Sequence, residues 1–261
     1  MFDNLINDFP LVAKLAGLWT KVAGLGLVRD GVGVLVCLAA AGGGIMVGLA
    51  GRRFFGLPAW ICRRIIEAGG ALWIVAAFYW ITAWPLAWPA SWVPPIVFLF
   101  VNSYVRHHQM FSILKLEDEE RVTRLLGNPA AWLVIMMLFW WSGYQFMAMA
   151  GVMAQAVGAN TAALVGWKKG RHRFKFQGVR HKTVEGSIAM FGASFLAIFL
   201  TTHHFARIPD VWFTPWCFFG ALLTAGAATM AELFLPKPRA DFWLPLLTST
   251  VIYIYTMAGF G

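Results

Sequence analysis

The sequence predicts an all-α, polytopic membrane protein with about eight transmembrane helices and an additional N-terminal helix lying in the membrane interface. Three observations lead to this prediction. Of the 261 residues, 59% are hydrophobic and only 13% are charged, and the mean hydropathy of +0.66 is far above that of an ordinary water-soluble domain. Apolar stretches long enough to cross a bilayer as a helix recur along the chain. Lys and Arg are concentrated in alternate connections between these stretches.

The apolar stretches define the elements in order. Residues 1–28 have apolar positions interrupted by Lys14, Lys21 and a proline, which favours an interfacial helix over another crossing. Residues 29–261 are expected to form a single membrane domain. Its predicted spans are residues 31–51, 66–84, 88–104, 129–147, 149–166, 186–203, 213–233 and 243–260. The AAAGGG cluster at residues 39–44 is expected to allow close contact between helices.

The charge distribution predicts the orientation. Most of the 21 Lys and Arg residues fall in the loops after the first, third, fifth and seventh predicted spans. In the opposite loops, Arg207 is the only basic residue. Because cationic loops remain on the cytoplasmic side, we expect four cytoplasmic loops and both termini outside, in a bacterial inner membrane. Tryptophans near the predicted span ends fit the aromatic belts of membrane interfaces.

One of these loops, GWKKGRHRFKFQGVRHK at residues 166–182, is denser in positive charge than the others. Cations can balance phosphate charge, and glycines allow close approach of the backbone, so the composition suits polyphosphate binding. Binding of lipid phosphates explains the composition equally well.

Carboxylates at the edges of the apolar spans are candidate site residues, because an acidic side chain is costly in lipid and usually marks a polar site. For Glu67, neutralisation by a neighbouring arginine is the favoured interpretation. Glu185, Glu232 and Asp241 are expected to lie at one depth, where they could hold a divalent cation between phosphate groups.

Other classes of function are disfavoured. The sequence contains no GxSxG elbow, no GxxxxGK[ST] loop and no Cys/His cluster, which argues against a hydrolase, a P-loop ATPase and a structural zinc site. The three cysteines have unrelated spacings and are expected to be small core or lipid-facing residues. Nucleic-acid binding is not expected, because the basic face is a membrane surface.

The run GANTAALVGWKKGRHRFKFQGVRHKTVEGSIAMF at residues 158–191 resembles the CTP-dependent lipid kinases. This family includes phytol kinase, dolichol kinase and the yeast-type diacylglycerol kinase, and is related to phosphatidate cytidylyltransferase. Its K-[TS]-x-E-G-[ST] pattern is matched by Lys182, Thr183, Glu185, Gly186 and Ser187. AATMAELFLPKPRADFWLP and RRIIEAGG are weaker matches, and the resemblance covers about residues 60–260.

The resemblance implies transfer of a phosphoryl group from CTP, or another nucleotide, to an isoprenoid or diacylglycerol-type alcohol, with Mg²⁺ or a similar divalent cation. The implied catalytic residues are Lys182, Glu185, Glu232 and Asp241, of which the three carboxylates would also bind the metal. The implied nucleotide-binding residues are Asn160, Gly166, Lys168, Lys169, Gly170, Arg171, Lys182, Thr183, Gly186 and Ser187.

One departure from the family pattern leaves alternatives open. Ala159 occupies the position of a family Asp, and its side chain offers no oxygen to a metal or nucleotide. A catalytically inactive member that acts as a structural or lipid-binding subunit of a membrane complex is therefore the first alternative. An enzyme resembling phosphatidate cytidylyltransferase is the second.

Overall fold

The described part of the chain is helical apart from short connections. A computed structural model describes residues 26–81, 92–100, 121–140, 144–174, 182–205, 213–235 and 237–260. Within these ranges there is no β-strand, and one isolated antiparallel bridge joins Arg173 to Thr183. The prediction of an all-α fold is confirmed for these residues. The predicted interfacial helix of residues 1–28 lies almost entirely outside them.

The helices are numbered in chain order. They are α1 (Gly26–Phe55), α2 (Ala59–Gly70), α3 (Trp73–Trp80), α4 (92–100), α5 (Arg121–Ile135), α6 (Gln145–Met153), α7 (Asn160–Lys169), α8 (Val184–Phe205), α9 (Phe213–Phe234) and α10 (Lys237–Phe260). Helix α5 continues as a π-helix over Met136–Trp140, and a second π-helix, Ala154–Ala159, joins α6 to α7. Residues Gln145–Lys169 therefore form one continuous helix, which we call the central rod.

In the described part of the chain, five helices are long and apolar enough to cross a membrane. They are Asp30–Phe55, Gln145–Lys169, Val184–Phe205, Thr214–Phe234 and Ala240–Gly259. These helices confirm the predicted spans 31–51, 149–166, 186–203, 213–233 and 243–260 as long apolar helices. Of the predicted span 88–104, residues 92–100 are helical and the remainder lies outside the described residues.

The predicted span 129–147 ends differently. A shorter apolar helix covers Gly127–Trp140. Tyr144 has non-helical backbone angles (φ −96°, ψ 44°), and the next helix begins at Gln145. The boundary near residue 148 was therefore wrong. Hydropathy does not place such a break, because the residues on both sides of it are apolar.

The predicted span 66–84 is wrong as a single helix, because α2 and α3 are separated at Ala71 and Leu72. Both residues keep right-handed helical angles, and the Leu72 N–H donates to the carbonyl of Gly69 at 3.1 Å. The Gly69–Gly70 pair before the break has low helix propensity, which accounts for the interruption of the helix. The helical chain also begins earlier than predicted, so Arg64 lies on α2 rather than in a loop.

Helices α1 and α2 pack closely through glycine. A Cβ added at Gly44 would lie 2.5 Å from the carbonyl carbon of Gly69, and one added at Gly48 would lie 3.0 Å from the carbonyl oxygen of Cys62. Farther along, a Cβ at Gly33 would lie 3.0 Å from the carbonyl oxygen of Trp80. Helices α2 and α3 therefore follow α1 in the antiparallel direction. The prediction that the residue 39–44 cluster mediates close packing is confirmed at Gly44, whereas a Cβ added at Gly42 or Gly43 would meet nothing within 4 Å.

Three apolar clusters form the core among the residues that the structure describes. The largest joins α1, α3, α5, α6 and α10 around Trp73, Trp132 and Met147. The second joins α6, α8 and α9 and consists mainly of alanine. The third, which we call the Ala162 cluster, consists of Ala162, Met190, Ala228 and Leu244 from α7, α8, α9 and α10. All three cysteines are buried and free, consistent with the core role predicted for them.

Antiparallel packing brings the same ends of several helices together. Near the start of α8, Lys182 contacts Glu232 at the end of α9, and α10 begins three residues after α9 ends. Trp60 of α2 contacts Trp167 at the end of α7. We call this end of the bundle the basic end, because many cations lie there, namely Arg52, Arg53, Arg64, Lys168, Lys169 and Lys182.

Candidate functional site at the basic end

The K-T-x-E-G-S segment forms the beginning of α8. The hydroxyl oxygen of Thr183 accepts a hydrogen bond from the Gly186 N–H at 3.2 Å, which is the side-chain capping interaction typical of a helix N-terminus. The carbonyl oxygen of Thr183 accepts a bond from the Ser187 N–H at 3.0 Å. Glu185 then falls in the first helical turn, where a negative charge is favoured by the helix dipole.

The glycines around this segment allow α7 and α8 to approach each other. A Cβ at Gly186 would lie 2.9 Å from Thr183 Oγ1 and 3.1 Å from the carbonyl oxygen of Ala162. A Cβ at Gly166 would lie 3.0 Å from Thr183 Oγ1, and one at Gly170 would lie 2.6 Å from Thr183 Cγ2. These three glycines were predicted to contact a nucleotide. Their observed contacts are with protein, so helix packing is sufficient to explain them.

Glu185 is held by the beginning of the basic loop. His172 Nδ1 lies 2.6 Å from Glu185 Oε1, and the backbone N–H of His172 donates to both carboxylate oxygens at 3.2 and 3.3 Å. The side chain of Glu185 is 24% exposed and that of His172 is 79% exposed. The carboxylate is therefore fixed in position and remains accessible from outside the bundle. The sequence pattern alone did not indicate this contact of His172.

The two described ends of the basic loop pair with each other beside Glu185. The Val184 N–H donates to the carbonyl of His172 at 2.9 Å, and the Phe174 N–H donates to the carbonyl of Lys182 at 3.2 Å. Lys168, Lys169 and Arg171, which were predicted to bind the nucleotide, are exposed at the end of α7 and the start of the loop. Residues 175–181 lie outside the described part of the chain.

Lys182 and Glu232 form an ion pair that joins the start of α8 to the end of α9. The ammonium group also donates to the backbone carbonyl of Glu232 at 3.0 Å. The two side chains are only 10% and 16% exposed, so water screens the pair weakly. Glu232 was predicted to serve a site rather than to neutralise a cation; the structure gives it a cationic partner.

Replacing Lys182 by methionine is expected to lower the free energy of unfolding by about 2 to 3 kcal/mol, because Glu232 would remain poorly solvated and unpaired. The double variant Lys182→Met, Glu232→Met is expected to recover at least half of this loss. Unfolding in mixed micelles, followed by tryptophan fluorescence, measures both changes. Additive losses in the double variant would contradict a stabilising role for the pair.

A second polar group lies where the central rod meets α5 and α10. The Gln155 amide donates to Asn128 Oδ1 at 2.5 Å and to the carbonyl of Asp241 at 2.8 Å, and its oxygen accepts from Trp132 Nε1 at 3.2 Å. Gln155 is 6% exposed. These three bonds satisfy much of its hydrogen-bonding capacity. The sequence signal was an amide inside a predicted span, but the partners on two other helices were not predictable from it.

Arg64 links α2 to α7. Its Nη1 donates to Glu67 Oε2 and to Asn160 Oδ1, both at 3.0 Å. The Asn160 amide nitrogen donates to the carbonyl of Ala156 at 2.7 Å. The expected pairing of Glu67 with a neighbouring arginine is confirmed. Asn160, predicted to contact the nucleotide, is 5% exposed and has both amide atoms engaged by protein groups.

The carboxylates predicted to bind a metal surround one region but do not converge. Glu232 follows Ala228 by four residues and Asp241 precedes Leu244 by three, so both lie about one helical turn beyond the Ala162 cluster. Within the described ranges, no group of three or more His, Cys, Asp or Glu side chains is arranged to hold a metal ion. Ala159, at the family Asp position, packs against the Ala162 cluster.

The chain was compared with family models, with characterised proteins and with solved structures, and no match was found. The resemblance to CTP-dependent lipid kinases therefore depends on the residues of the K-T-x-E-G-S segment and its surroundings.

Proposed function

We propose that the chain is a membrane lipid kinase of the phytol or polyprenol kinase type. It would transfer a phosphoryl group from CTP, or another nucleotide, to a lipid alcohol at the cytoplasmic face of a bacterial inner membrane. The main support is Glu185, a fixed and accessible carboxylate in the first turn of an apolar helix, next to a loop rich in cations. A reaction between a lipid and a nucleotide requires such a group at the membrane boundary.

The proposed chemistry follows from that position. Glu185 would orient the lipid hydroxyl and accept its proton. The alcohol oxygen would then form a bond to the γ-phosphorus while the bond from that phosphorus to the β-phosphate oxygen breaks, releasing the nucleoside diphosphate. Arg171 and Lys182 would balance phosphate charge, since phosphoryl transfer depends mainly on positioning and charge neutralisation.

A divalent cation belongs to this proposal only as part of the bound nucleotide. Mg²⁺ is usually held by one or two carboxylates, with waters and phosphate oxygens supplying the other ligands. Because the described carboxylates do not form a three-ligand group, the cation would arrive with the nucleotide. One or two of Glu185, Glu232 and Asp241 are proposed to contact it.

The proposal includes eight crossings with the basic end in the cytoplasm. Five of these crossings would be the long apolar helices of the described part of the chain. The other three would be supplied by α2 together with α3, by α4, and by α5. The concentration of cations at one end of the bundle supports this orientation, because cationic ends remain on the cytoplasmic side.

Ala159 favours a second candidate function. Its side chain packs against an apolar cluster and offers no charge or oxygen. A catalytically inactive protein that serves as a structural or lipid-binding subunit of a membrane complex would need neither. In that case the Lys182–Glu232 pair would serve stability alone.

Label transfer tests the proposal. Purified protein in nanodiscs would be incubated with Mg²⁺, prenols or diacylglycerol, and CTP labelled at the α or the γ phosphate. We expect γ label in the lipid. Label from the α phosphate would instead indicate a cytidylyltransferase-like reaction. Absence of transfer in the natural sequence, with transfer restored by Ala159→Asp, would support the inactive alternative.

A further inference from the structure

An aromatic pair joins two groups of cations at the basic end. Trp60 of α2 and Trp167 of α7 pack edge to face, with ring centroids 4.8 Å apart. Two arginines precede Trp60 at the end of α1, and two lysines directly follow Trp167. The four cations are Arg52, Arg53, Lys168 and Lys169. The ring contact therefore joins α2, which follows the arginine pair in the chain, to the end of α7 that carries the lysine pair.

The corner between α1 and α2 fixes the first cation pair relative to Trp60. The Leu57 N–H donates to the carbonyl of Gly51 at 3.2 Å, and Arg52 Nη1 donates to the carbonyl of Leu57 at 3.2 Å. Gly56 has a positive φ of 61°, which allows the sharp turn between these bonds. The arginine pair is thus part of a folded corner rather than of a free terminus.

This surface lies where two apolar helices end. The candidate spans end at Phe55 and at Lys169. Phe54, Phe55 and Trp167 are 75%, 79% and 64% exposed. Exposed aromatic rings beside cations at the end of a span match the region of a bilayer where acyl chains meet phosphate groups.

The charge of this surface is not neutralised by the ion pairs seen in the described residues. Those pairs use Arg64, His172 and Lys182 as the cationic partners. Arg52, Arg53, Lys168 and Lys169 are not among these partners, so the surface carries one cation pair at the end of α1 and one at the end of α7. Basic pockets between transmembrane helices on the cytoplasmic side are known to bind anionic headgroups.

We propose that this surface binds an anionic phospholipid that carries two phosphate groups, of the diphosphatidylglycerol class, with one phosphate at each cation pair. Its exposed aromatic rings contact the upper part of the acyl chains. The site is distinct from Glu185 and does not depend on phosphoryl transfer. It assigns Lys168 and Lys169 to a lipid rather than to a nucleotide.

Native mass spectrometry of the full chain, released from nanodiscs containing diphosphatidylglycerol, tests the proposal. We expect retained lipid in the natural sequence, and about twenty-five-fold less in Arg52→Gln, Arg53→Gln, since each of the two cations near an anionic surface contributes roughly fivefold to binding. Trp167→Leu keeps every charge and is also expected to reduce retention, because it separates the two cation pairs. Both sites of change are exposed, and a monodisperse elution profile confirms folding.

The double variant Arg171→Gln, Arg173→Gln is the matched control. It removes the same charge from exposed positions of the neighbouring loop and is expected to change retention less than about twofold. The proposal is overturned if both double variants lose lipid equally, or if phosphatidylglycerol at equal phosphate concentration is retained as well as diphosphatidylglycerol. Either result would mean that net charge alone attracts the lipid.

Discussion

Replacing Glu185 by glutamine is expected to reduce phosphoryl transfer at least about a hundredfold, while the protein remains folded in the membrane. Glutamine keeps an oxygen that can accept the His172 backbone N–H, so the start of α8 should persist. It cannot accept a proton from the lipid hydroxyl, nor can it supply negative charge. Loss of one positioned electrostatic group at a reacting centre typically has an effect of this size.

Initial rates of γ-label transfer at saturating nucleotide measure this effect. Glu67→Gln is the comparison variant, because it also neutralises a carboxylate at the basic end but affects one that pairs with Arg64. Its rate is expected to stay within about threefold of the natural sequence. Unchanged transfer in Glu185→Gln would remove the proposed role of this residue, whatever the fate of the kinase proposal.

Replacing Gly44 by alanine is expected to destabilise the protein by about 2 to 4 kcal/mol. The new Cβ would lie 2.5 Å from the Gly69 carbonyl carbon and 2.7 Å from the Gly70 nitrogen. These are backbone atoms, so a side-chain rotation cannot relieve the contact, and α1 and α2 must separate. Resistance to unfolding in mixed micelles, followed by the tryptophan signal, measures the loss.

Gly43→Ala provides a control in the same helix. A Cβ at Gly43 would meet no atom within 4 Å. The substitution is therefore expected to change stability by less than about 1 kcal/mol, with the gain in helix propensity acting in its favour. Equal effects of the two substitutions would show that the α1–α2 contact is not as close as described.

The long apolar helices were predictable because each is encoded by a contiguous run of residues. The boundaries of α8 and α9 agree with the sequence to within a few residues. The break at Ala71 and Leu72 and the two described π-helices were missed. Hydropathy averages over a window and cannot detect one glycine pair or an irregular hydrogen-bond register.

The candidate site was predictable only in part. The sequence identified Glu185, Glu232 and Asp241 as unusual, because a charged side chain is energetically costly in an apolar environment. These three residues do lie near the same end of the bundle. Their partners were not predictable. The contacts of Glu232 with Lys182 and of Asn160 with Arg64 join residues 50 and 96 positions apart, and such pairings depend on helix packing.

The π-helix at Ala154–Ala159 changes the direction in which side chains point along the rod of residues Gln145–Lys169. In a regular α-helix, positions seven apart point almost the same way. Gly151 and Gly158 are seven apart, yet Gly151 adjoins Ser249 of α10 whereas Gly158 adjoins Ser194 of α8. The wider π-helical turn rotates the second half of the rod relative to the first, so that one half packs against α10 and the other against α8. Deleting one residue from the π-helix would restore a regular α-helix, and one half of the rod would then no longer face the helix it packs against.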